Sequence, residues 1–364
     1  MRGFAFKFDS QSQTFSRVEF TVPKELSPGE VLIRVTCCTI CGSDLHTFCG
    51  RRTAPADCVL GHEIIGTIDA WGGEPPRDVE GRELAAGQRV TWAMAAGCGD
   101  CFFCNNHLPQ KCERLFKYGH QAPTGDVPTG GLSQYCMLAP GTPIFRIPDS
   151  LSDAVACPAN CATATVSAAL RLISETHTIQ NCSALVVGAG ILGLTAVAQL
   201  SVAGASQILL ADPDSKRLDL GRSFGATKCI DSSDANSLST AIDLETEERG
   251  VDIALDFAGV LPAVETALTS ARVGGCVLLA GSVFPMDELS ISPETIVRRM
   301  LTIRGLHNYG PADLKLALRF LERNQTRFPF HKLVTATFSL DQAQKAFEAG
   351  RDLRPIRVAV TQEG

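Results

Sequence analysis

Residues 184–193 read Ala-Leu-Val-Val-Gly-Ala-Gly-Ile-Leu-Gly, an apolar run that leads into glycines spaced G-x-G-x-x-G. The run predicts a buried strand, and residues 194–202 predict a helix after it. The three glycines allow a tight turn, close approach of a pyrophosphate and close helix–strand packing, in that order. The pattern predicts a dinucleotide site at the helix N-terminus. The candidate contacts are Gly188, Gly190, Ile191, Leu192 and Gly193.

A second apolar run, residues 207–211, ends at Asp212, 19 residues after Gly193. A carboxylate at this place hydrogen-bonds the adenosine ribose and repels a 2′-phosphate, which favours NAD over NADP. Arg217, a further candidate cofactor contact, follows with Lys216 and weakens that preference. The alternative is that Asp212 only caps a helix at residues 216–224.

The alternation of strand and helix patterns continues through the middle of the chain. Residues 251–256 and 274–281 predict buried strands, and residues 263–270 predict a helix between them. Such alternation is typical of a doubly wound parallel sheet, so we predict an α/β cofactor domain at residues 158–305.

Both ends of the chain differ from this middle part. Residues 3–8, 18–22, 30–35, 63–70 and 88–92 alternate apolar and polar residues, which predicts antiparallel strands. A β-rich domain is therefore expected at residues 1–157. A helix at 312–323 and a last strand at 356–360 predict that residues 306–364 return to it.

Composition excludes some functions. Lys+Arg 33 against Asp+Glu 39 gives a net charge of −6, which argues against nucleic acid as a partner. No apolar run reaches the roughly 18 residues that span a membrane. Residues 1–22 do not follow the pattern of a signal peptide, so we expect a cytoplasmic protein. The 15 cysteines are then expected to be reduced, and some of them to bind metal.

The most specific metal motif lies at residues 98–112, where cysteines have the spacing C-x2-C-x2-C-x7-C. Four thiolates on one short loop can close a tetrahedron around Zn²⁺, which is typical of a structural site. Disulfides are the alternative, and the short spacing makes them geometrically difficult. The predicted ligands are Cys98, Cys101, Cys104 and Cys112.

Two shorter stretches suggest a second metal. Residues 40–46, Ile-Cys-Gly-Ser-Asp-Leu-His, combine a thiol, a hydroxyl, a carboxylate and an imidazole, and Gly61-His62-Glu63 follows about twenty residues later. Cys41 and His62 could bind the metal, and Glu63 could either bind it or support the ligands without binding it. The alternatives are a buried cysteine before a helix N-cap and a histidine of the core.

Together, Cys-Gly-Ser-Asp-x-x-His, Gly-His-Glu, the four cysteines and G-x-G-x-x-G resemble the zinc-dependent medium-chain alcohol dehydrogenase family over essentially the whole chain. The resemblance implies a GroES-like β domain, a Rossmann domain and a catalytic zinc in the cleft between them. It implies Cys41 and His62 as zinc ligands, with Glu63 as a transient or supporting ligand. For the third ligand, the likeness of Cys157-Pro158 to the Glu-Pro of the polyol branch favours Cys157 over Cys161, which is then expected in the core.

The resemblance also implies the reaction. Two zinc ions and NAD are expected as cofactors, and a small alcohol as the substrate. The hydroxyl of Ser43 would accept the alcohol proton and pass it through the cofactor ribose to His46, while a hydride moves to the nicotinamide. A homodimer or homotetramer is expected as well.

The substrate is less determined. Arg51 and Arg52 follow the first metal stretch and favour an anionic alcohol, unless they are solvated surface residues. Residues 117–120 and 305–309 resemble a bacterial branch associated with phosphonate catabolism. The alternatives are a polyol or threonine-type dehydrogenase, a zinc-free quinone reductase-like enzyme, and a zinc-binding interaction module without catalysis.

Overall fold

The computed structural model describes residues 1–123 and 125–362. They divide into two compact units. Unit 1 comprises Met1–Cys161, Gly310–Gln325 and the residues from Phe330 onward, and unit 2 comprises Ala162–Tyr309 and Thr326–Pro329. The domain boundaries expected from the sequence, after residues 157 and 305, each lie four residues before the changes of unit at 161 and 309.

The first part of unit 1 consists mainly of strands. The strands are β1 (Arg2–Asp9), β2 (Thr14–Thr21), β3 (Val31–Ile40), β4 (Glu63–Trp71), β5 (Arg89–Trp92), β6 (Ala95–Ala96), β7 (Phe116–Lys117), β8 (Tyr135–Leu138) and β9 (Ile144–Arg146). The helices are α1 (Gly42–Phe48), α2 (Phe102–Asn105) and α3 (Asp153–Ala156), with 3-10 turns at Pro109–Lys111 and Cys157–Asn160.

Unit 2 alternates helices and strands. In chain order they are α4 (Ala162–Ser174), β10 (Ser183–Val187), α5 (Ile191–Val202), β11 (Gln207–Asp212), α6 (Ser215–Ser223), β12 (Lys228–Asp231), α7 (Ala235–Thr246), β13 (Val251–Asp256), α8 (Leu261–Ser270), β14 (Ala271–Leu279), α9 (Pro293–Arg298) and β15 (Thr302–Gly305). The chain then returns to unit 1 as α10 (Pro311–Asn324), β16 (Val334–Ser339), α11 (Ala343–Leu353) and β17 (Arg357–Thr361), with 3-10 turns at Phe330–Lys332 and Leu340–Gln342. Within residues 1–123 and 125–362, no helix has the length and apolar character needed to cross a membrane.

The sheet of unit 2 is parallel throughout, in the order β12-β11-β10-β13-β14-β15. Its central strand β10 is apolar and buried on both faces, as expected where helices cover a parallel sheet. The strand order reverses beside β10, which makes this a Rossmann topology with a binding crevice at the carboxyl ends of the strands. The predicted fold class, a β-rich domain plus a domain with a doubly wound parallel sheet, is confirmed.

The main sheet of unit 1 has the order β16-β17-β3-β4-β5-β9, with β8 paired to β3. Both β17 and β4 run antiparallel to β3, so the end of β3 meets the beginnings of the other two strands. In the register, Ile40 pairs with Val358 and Thr39 pairs with Glu63. Residues that are far apart in the sequence therefore meet at one edge of this sheet.

Candidate active site and metal centres

The four cysteines of residues 98–112 form a closed cluster in which all four sulfur atoms lie within 4.8 Å of one another. The Sγ of Cys112 lies 3.4 Å from that of Cys98 and 3.8 Å from that of Cys101. Sulfur atoms at the corners of a zinc tetrahedron are about 3.8 Å apart, given Zn–S bonds of about 2.3 Å, whereas a disulfide needs about 2.05 Å. All four are free thiols, so the donor set fits a structural zinc ion.

Short local elements hold this cluster together. Helix α2 begins after Cys101, and the 3-10 turn at Pro109–Lys111 leads to Cys112. The backbone amides of Cys98 and Arg114 donate to the Sγ of Cys112, at 3.2 and 3.3 Å. Amide hydrogen bonds also lower the pKa of the Cys101 thiol to about 6, which favours the thiolate that a metal requires.

A second cluster lies at the edge of the main sheet of unit 1. One ligand atom from each of Cys41, His62, Glu63 and Cys161 lies within 4.8 Å of the others. The two sulfur atoms are 3.9 Å apart. Cys41 follows β3 and is the N-cap residue of α1, while His62 directly precedes β4, so the strand pairing described above brings them together.

The imidazole of His62 is held in one orientation by a carboxylate. Its Nδ1 lies 3.1 Å from Asp44 Oδ1, and since an ionised carboxylate only accepts, Nδ1 carries the proton. The second carboxylate oxygen of Asp44 accepts from the amide of Cys41 at 3.0 Å. The Nε2 of His62 is buried without a hydrogen-bond partner in the described part of the chain. A buried ring nitrogen next to two thiols, with the other ring nitrogen held by a carboxylate, fits a metal ligand.

Glu63 is bound by a buried arginine. Arg357, at the start of β17, donates to both carboxylate oxygens of Glu63, at 2.7 and 3.0 Å, and to Cys41 Sγ at 3.3 Å. The hydroxyl of Thr39 also donates to Glu63. Burial raises the pKa of Glu63 to about 7, against the opposing effect of Arg357. A hydrogen bond with the Cys161 thiol and the charge of Arg357 lower the pKa of Cys41 well below its usual value.

The choice of Cys157 as third ligand is corrected by this geometry. The Cys157 thiol is fully buried and donates to the carbonyl oxygens of Glu63 and Cys37, at 3.2 and 3.5 Å, away from the ligand cluster. Burial raises its pKa well above the usual range, so it is a neutral donor. A 3-10 turn covers Cys157–Asn160 and α4 begins only at Ala162, which places Cys161 at the break, beside Cys41.

Sequence reasoning missed three groups that build this site. Asn160 donates to the carbonyls of His62 and Trp92, which ties the 3-10 turn to the cluster. Arg357 is a charged residue at the start of an apolar strand, and Asp44, the carboxylate of residues 40–46, was assigned no role at the metal. A lone charge before an apolar strand was the available signal for Arg357, but it named no partner.

The predicted proton-transfer residues lie on α1, one turn apart. Ser43 and His46 are half-buried, and the i, i+3 spacing places them on one helix face. Burial and the nearby charge of Arg51 lower the pKa of His46, which keeps its imidazole neutral at pH 7. Arg51 follows α1, and its amide donates to the carbonyl of His46 at 2.9 Å. Neither Arg51 nor Arg52 forms an ion pair with any residue that the structure describes.

A second imidazole lies against the cluster. The ring of His120 packs on that of His62 with centroids 4.6 Å apart, and His120 is 8% exposed. Burial lowers the pKa of His120 well below 6.5, and the neighbouring His62 ring and the positive charges of Arg52 and Lys117 act in the same direction. His120 was quoted in the sequence only as part of a short likeness, with no assigned role.

In unit 2, the glycines of residues 188–193 meet the steric demands of a dinucleotide turn. A Cβ on Gly193 would lie 1.7 Å from the carbonyl oxygen of Gly188, so only glycine fits where α5 packs on β10. Gly188 has φ +103, which favours glycine. A Cβ on Gly190 would meet nothing within 4 Å, so the space above the N-terminus of α5 is open for an anion. Ile191 and Leu192 form the first turn of α5.

Asp212 ends β11 beside this turn and lines a cavity of about 420 Å³ with Val187, Gly188 and Pro213. One carboxylate oxygen accepts from the amide of Ala189 at 2.6 Å, and the other accepts from the amide of Asp214 at 2.9 Å. The N-cap of α6 is Asp214, so the alternative role of Asp212 as the cap of that helix is wrong. Arg217 forms an ion pair with Asp214.

Two protein-family models match the chain. The alcohol dehydrogenase GroES-like domain matches residues 27–149, and the zinc-binding dehydrogenase domain matches residues 192–323. The first contains both candidate metal clusters apart from Cys161, and the second begins inside the glycine turn.

Similar proteins cover nearly the same length. A 5-exo-hydroxycamphor dehydrogenase of Pseudomonas putida is 30% identical over 91% of this chain and 92% of its own. An L-threonine 3-dehydrogenase of Yersinia pestis is 28% identical over 93% of both chains. The solved structure of an alcohol dehydrogenase from Thermotoga maritima superposes with a TM-score of 0.93 over 99% of both chains at 24% identity, which shows the shared fold.

Proposed function

Because the chain belongs to the zinc-dependent medium-chain alcohol dehydrogenase family, we propose that it interconverts a small alcohol and its aldehyde or ketone with NAD as hydride carrier. The observation that carries this proposal is the buried Nε2 of His62, which has no hydrogen-bond partner among the described residues, in a cluster where a ring nitrogen of His62 lies within 4.8 Å of the sulfur atoms of Cys41 and Cys161. A donor set of two thiols and one imidazole is the kind that holds a catalytic zinc and leaves a position for a substrate oxygen.

Cys41, His62 and Cys161 would hold the zinc in this proposal. Glu63 would support them indirectly, because it binds Arg357, which also donates to the Sγ of Cys41. When bound, zinc supplies Lewis-acid polarisation of the substrate oxygen, and the nicotinamide supplies the hydride acceptor. Asp44 keeps the proton of His62 on Nδ1, so that Nε2 presents its lone pair. The Ser43 hydroxyl would take the alcohol proton, and the neutral imidazole of His46 would receive it.

NAD is favoured over NADP by Asp212. Its carboxylate lies at the carboxyl end of β11 in the cavity beside the glycine turn, where it would accept from a ribose hydroxyl and repel a 2′-phosphate. The guanidinium of Arg217 forms an ion pair with Asp214 and is therefore less available to bind a 2′-phosphate.

We infer an anionic alcohol, such as one that carries a phosphonate or phosphate group, as the preferred substrate. Arg51 and Arg52 have no carboxylate partner among the described residues. The charge of Arg51 contributes to the lowered pKa of His46, and the charge of Arg52 contributes to that of His120. Unpaired guanidiniums beside a catalytic group favour a substrate with negative charge. A threonine- or polyol-type dehydrogenase is the second candidate, since L-threonine 3-dehydrogenases are among the relatives.

The test is a substrate panel in which reduction of NAD and of NADP is followed for phosphonate and phosphate alcohols, polyols, threonine and simple neutral alcohols. We expect the highest kcat/KM with NAD and an anionic alcohol. The double variant Arg51→Ala/Arg52→Ala should lose more on anionic than on neutral alcohols. The control Arg249→Ala/Arg298→Ala removes two exposed arginines from unit 2. Equal losses on both substrate classes would contradict the anionic substrate.

Metal analysis distinguishes the zinc-free reductase among the alternatives. We expect about two zinc ions per chain, one for each cluster. About one zinc per chain, together with turnover, would favour the zinc-free alternative. Calorimetry without NAD binding would favour the interaction module.

A further inference from the structure

One buried aspartate joins two loops at the carboxyl edge of the parallel sheet in unit 2. The β13 loop is residues 257–260, and the β14 loop is residues 280–283. Asp256 is the last residue of β13 and is fully buried. One of its carboxylate oxygens accepts from two successive backbone amides of the β13 loop, at 3.0 and 2.9 Å. The other oxygen accepts from the hydroxyl of Ser282, in the β14 loop, at 3.0 Å.

The backbones of the two loops are also in direct contact. Gly259 has φ +67, and a Cβ there would lie 2.2 Å from the carbonyl oxygen of Gly281. A Cβ on Gly281 would in turn lie 2.4 Å from the backbone nitrogen of Gly259. The carbonyl of Asp256 accepts from the amides of Ala280 and Gly281, both at 3.0 Å. The two loops therefore pack as one layer around the aspartate, and only glycine permits this approach.

The β13 loop borders the glycine turn on its other side. A Cβ on Gly188 would lie 2.9 Å from the backbone nitrogen of Ala258. Ala258 and Val260 line the cavity that contains Asp212, whereas no residue of the β14 loop lines it. The β13 loop thus lies between this cavity and the β14 loop.

The position of the β14 loop indicates which half of a dinucleotide it would meet. A dinucleotide lies across the crevice of such a sheet, with one nucleotide on each side of the point where the strand order reverses. Asp212, at the end of β11, marks the adenosine side, so the side of β13, β14 and β15 is left for the nicotinamide. On this side the β14 loop carries an apolar side chain, Val283, that is 47% exposed, as suits a surface that receives a flat ring.

We infer that Asp256 is a positioning residue for the nicotinamide half of the cofactor, because it fixes the β14 loop to the β13 loop before NAD binds. This inference rests on the proposed NAD-dependent function, and it requires neither the metal nor a particular alcohol. A loop that is ordered in advance loses less conformational freedom on binding, so its ligand binds more tightly. The link should therefore strengthen binding on the nicotinamide side and leave the adenosine side unchanged.

The decisive variant is Ser282→Ala, which removes the side-chain link to the β14 loop while Asp256 keeps both amides of the β13 loop. Calorimetry on the full-length protein gives Kd for NADH and for ADP-ribose, which has the adenosine, the pyrophosphate and the second ribose but no nicotinamide. In Ser282→Ala, we expect Kd for NADH to rise about tenfold and Kd for ADP-ribose to rise less than about twofold, as for one lost hydrogen bond to a charged group.

The matched control is Ser183→Ala. Ser183 begins β10, at the opposite edge of the same sheet, and its hydroxyl donates to the carboxylate of Asp252 at 2.8 Å. This variant removes the same kind of bond from the same sheet, so it should lower Tm without changing the ratio of the two Kd values.

A second pair of variants tests the carboxylate itself. Asp256→Ala removes all three side-chain hydrogen bonds and should raise the ratio of Kd for NADH to Kd for ADP-ribose at least as much as Ser282→Ala does. In Asp256→Asn, the amide oxygen can still accept from the β13 loop and the amide nitrogen can donate to the hydroxyl of Ser282. The ratio in Asp256→Asn should therefore stay within about threefold of the wild-type ratio.

The pair of ligands separates this role from general support of the fold. If Ser282→Ala weakens NADH and ADP-ribose equally, or weakens neither, the inference is wrong. A change of the ratio in Ser183→Ala as large as that in Ser282→Ala would overturn it as well. If the wild-type protein binds ADP-ribose and NADH but reduces NAD with no alcohol, the proposed reaction fails while the positioning role is still measured by the ratio.

Discussion

The two metal clusters use the same sulfur chemistry in different surroundings. The cysteines of residues 98–112 supply all four ligands from one loop, and their hydrogen bonds come mainly from neighbouring backbone amides. The other cluster collects Cys41, His62 and Cys161 from three separate parts of the chain and surrounds them with Asp44, Glu63 and Arg357.

This difference suggests that the closed cluster stabilises the fold and that the open cluster takes part in catalysis. Four thiolates close a tetrahedron and leave no position for a substrate, so such a site orders the lobe around it. Two thiols and an oriented imidazole leave a position open, and the charged groups behind them set the protonation of each ligand. Variants in the two clusters should therefore change different quantities, turnover in one and stability in the other.

The largest loss of turnover is expected for Cys41→Ala. Removal of this thiolate from the open cluster should lower kcat/KM about a thousandfold or more, while Tm changes by only a few degrees, because the sheet does not depend on this side chain. Steady-state kinetics and calorimetry measure the two effects. Cys49→Ala, at the other end of α1, is the matched control. Near-normal activity in Cys41→Ala would show that the open cluster is not the active site.

The second comparison concerns Cys161 and Cys157, four residues apart. Cys161→Ala should lower kcat/KM about a hundredfold and release one zinc per chain. Cys157→Ala should change kcat/KM less than about threefold and lower the free energy of unfolding by about 1–2 kcal/mol, because its buried thiol donates to two carbonyls. A large loss of activity and of zinc in Cys157→Ala, with little change in Cys161→Ala, would indicate Cys157 as the third ligand, as first expected from the sequence.

A smaller effect is expected for Asp44→Asn, since Asp44 acts through His62. Loss of the carboxylate behind a metal-binding histidine costs about 10- to 100-fold in metal affinity or activity. Chelator competition should show faster loss of one zinc, with the other retained. Asp153→Asn, whose carboxylate pairs with Arg89, is the control. Equal loss of both metals would instead indicate general unfolding.

The smallest effect on turnover is expected in the closed cluster. In Cys101→Ala, kcat of the protein that remains folded should fall less than about threefold, but Tm should fall by about 5 °C or more, because a structural zinc contributes directly to stability. If Cys101→Ala kept its Tm and lost its activity, the closed cluster would be needed for catalysis and not for stability.

Regular patterns allowed much of the fold to be predicted. The strands β3, β4, β5, β10, β11 and β13 lie where apolar runs and alternation placed them, within a few residues. The helix after the glycine turn begins at Ile191, three residues earlier than its predicted start at Leu194, because Gly190 is already its N-cap. Such elements depend on local spacing, which the sequence shows directly.

These local patterns did not predict contacts between residues that are far apart in the sequence. Arg357 reaches Glu63, 294 positions away, only because β17 and β4 flank the same strand. Tyr118 and Gly119 place His120 on His62, but no spacing rule connects residue 120 with residue 62. The roles proposed for Arg51, Arg52 and Ser43 remain predictions.

The sequence by itself determined the parallel cofactor sheet, the glycine turn and the four-cysteine cluster, because each depends on residues that are close in the chain and on a fixed period or spacing. Only the tertiary structure decided that Cys161 and not Cys157 joins Cys41, since one 3-10 turn before α4 changes which thiol faces the cluster. It also decided which charges are paired. The pairing of Glu63 with Arg357 and the contact of the His120 ring with that of His62 follow from strand pairing and loop packing, which no local pattern encodes.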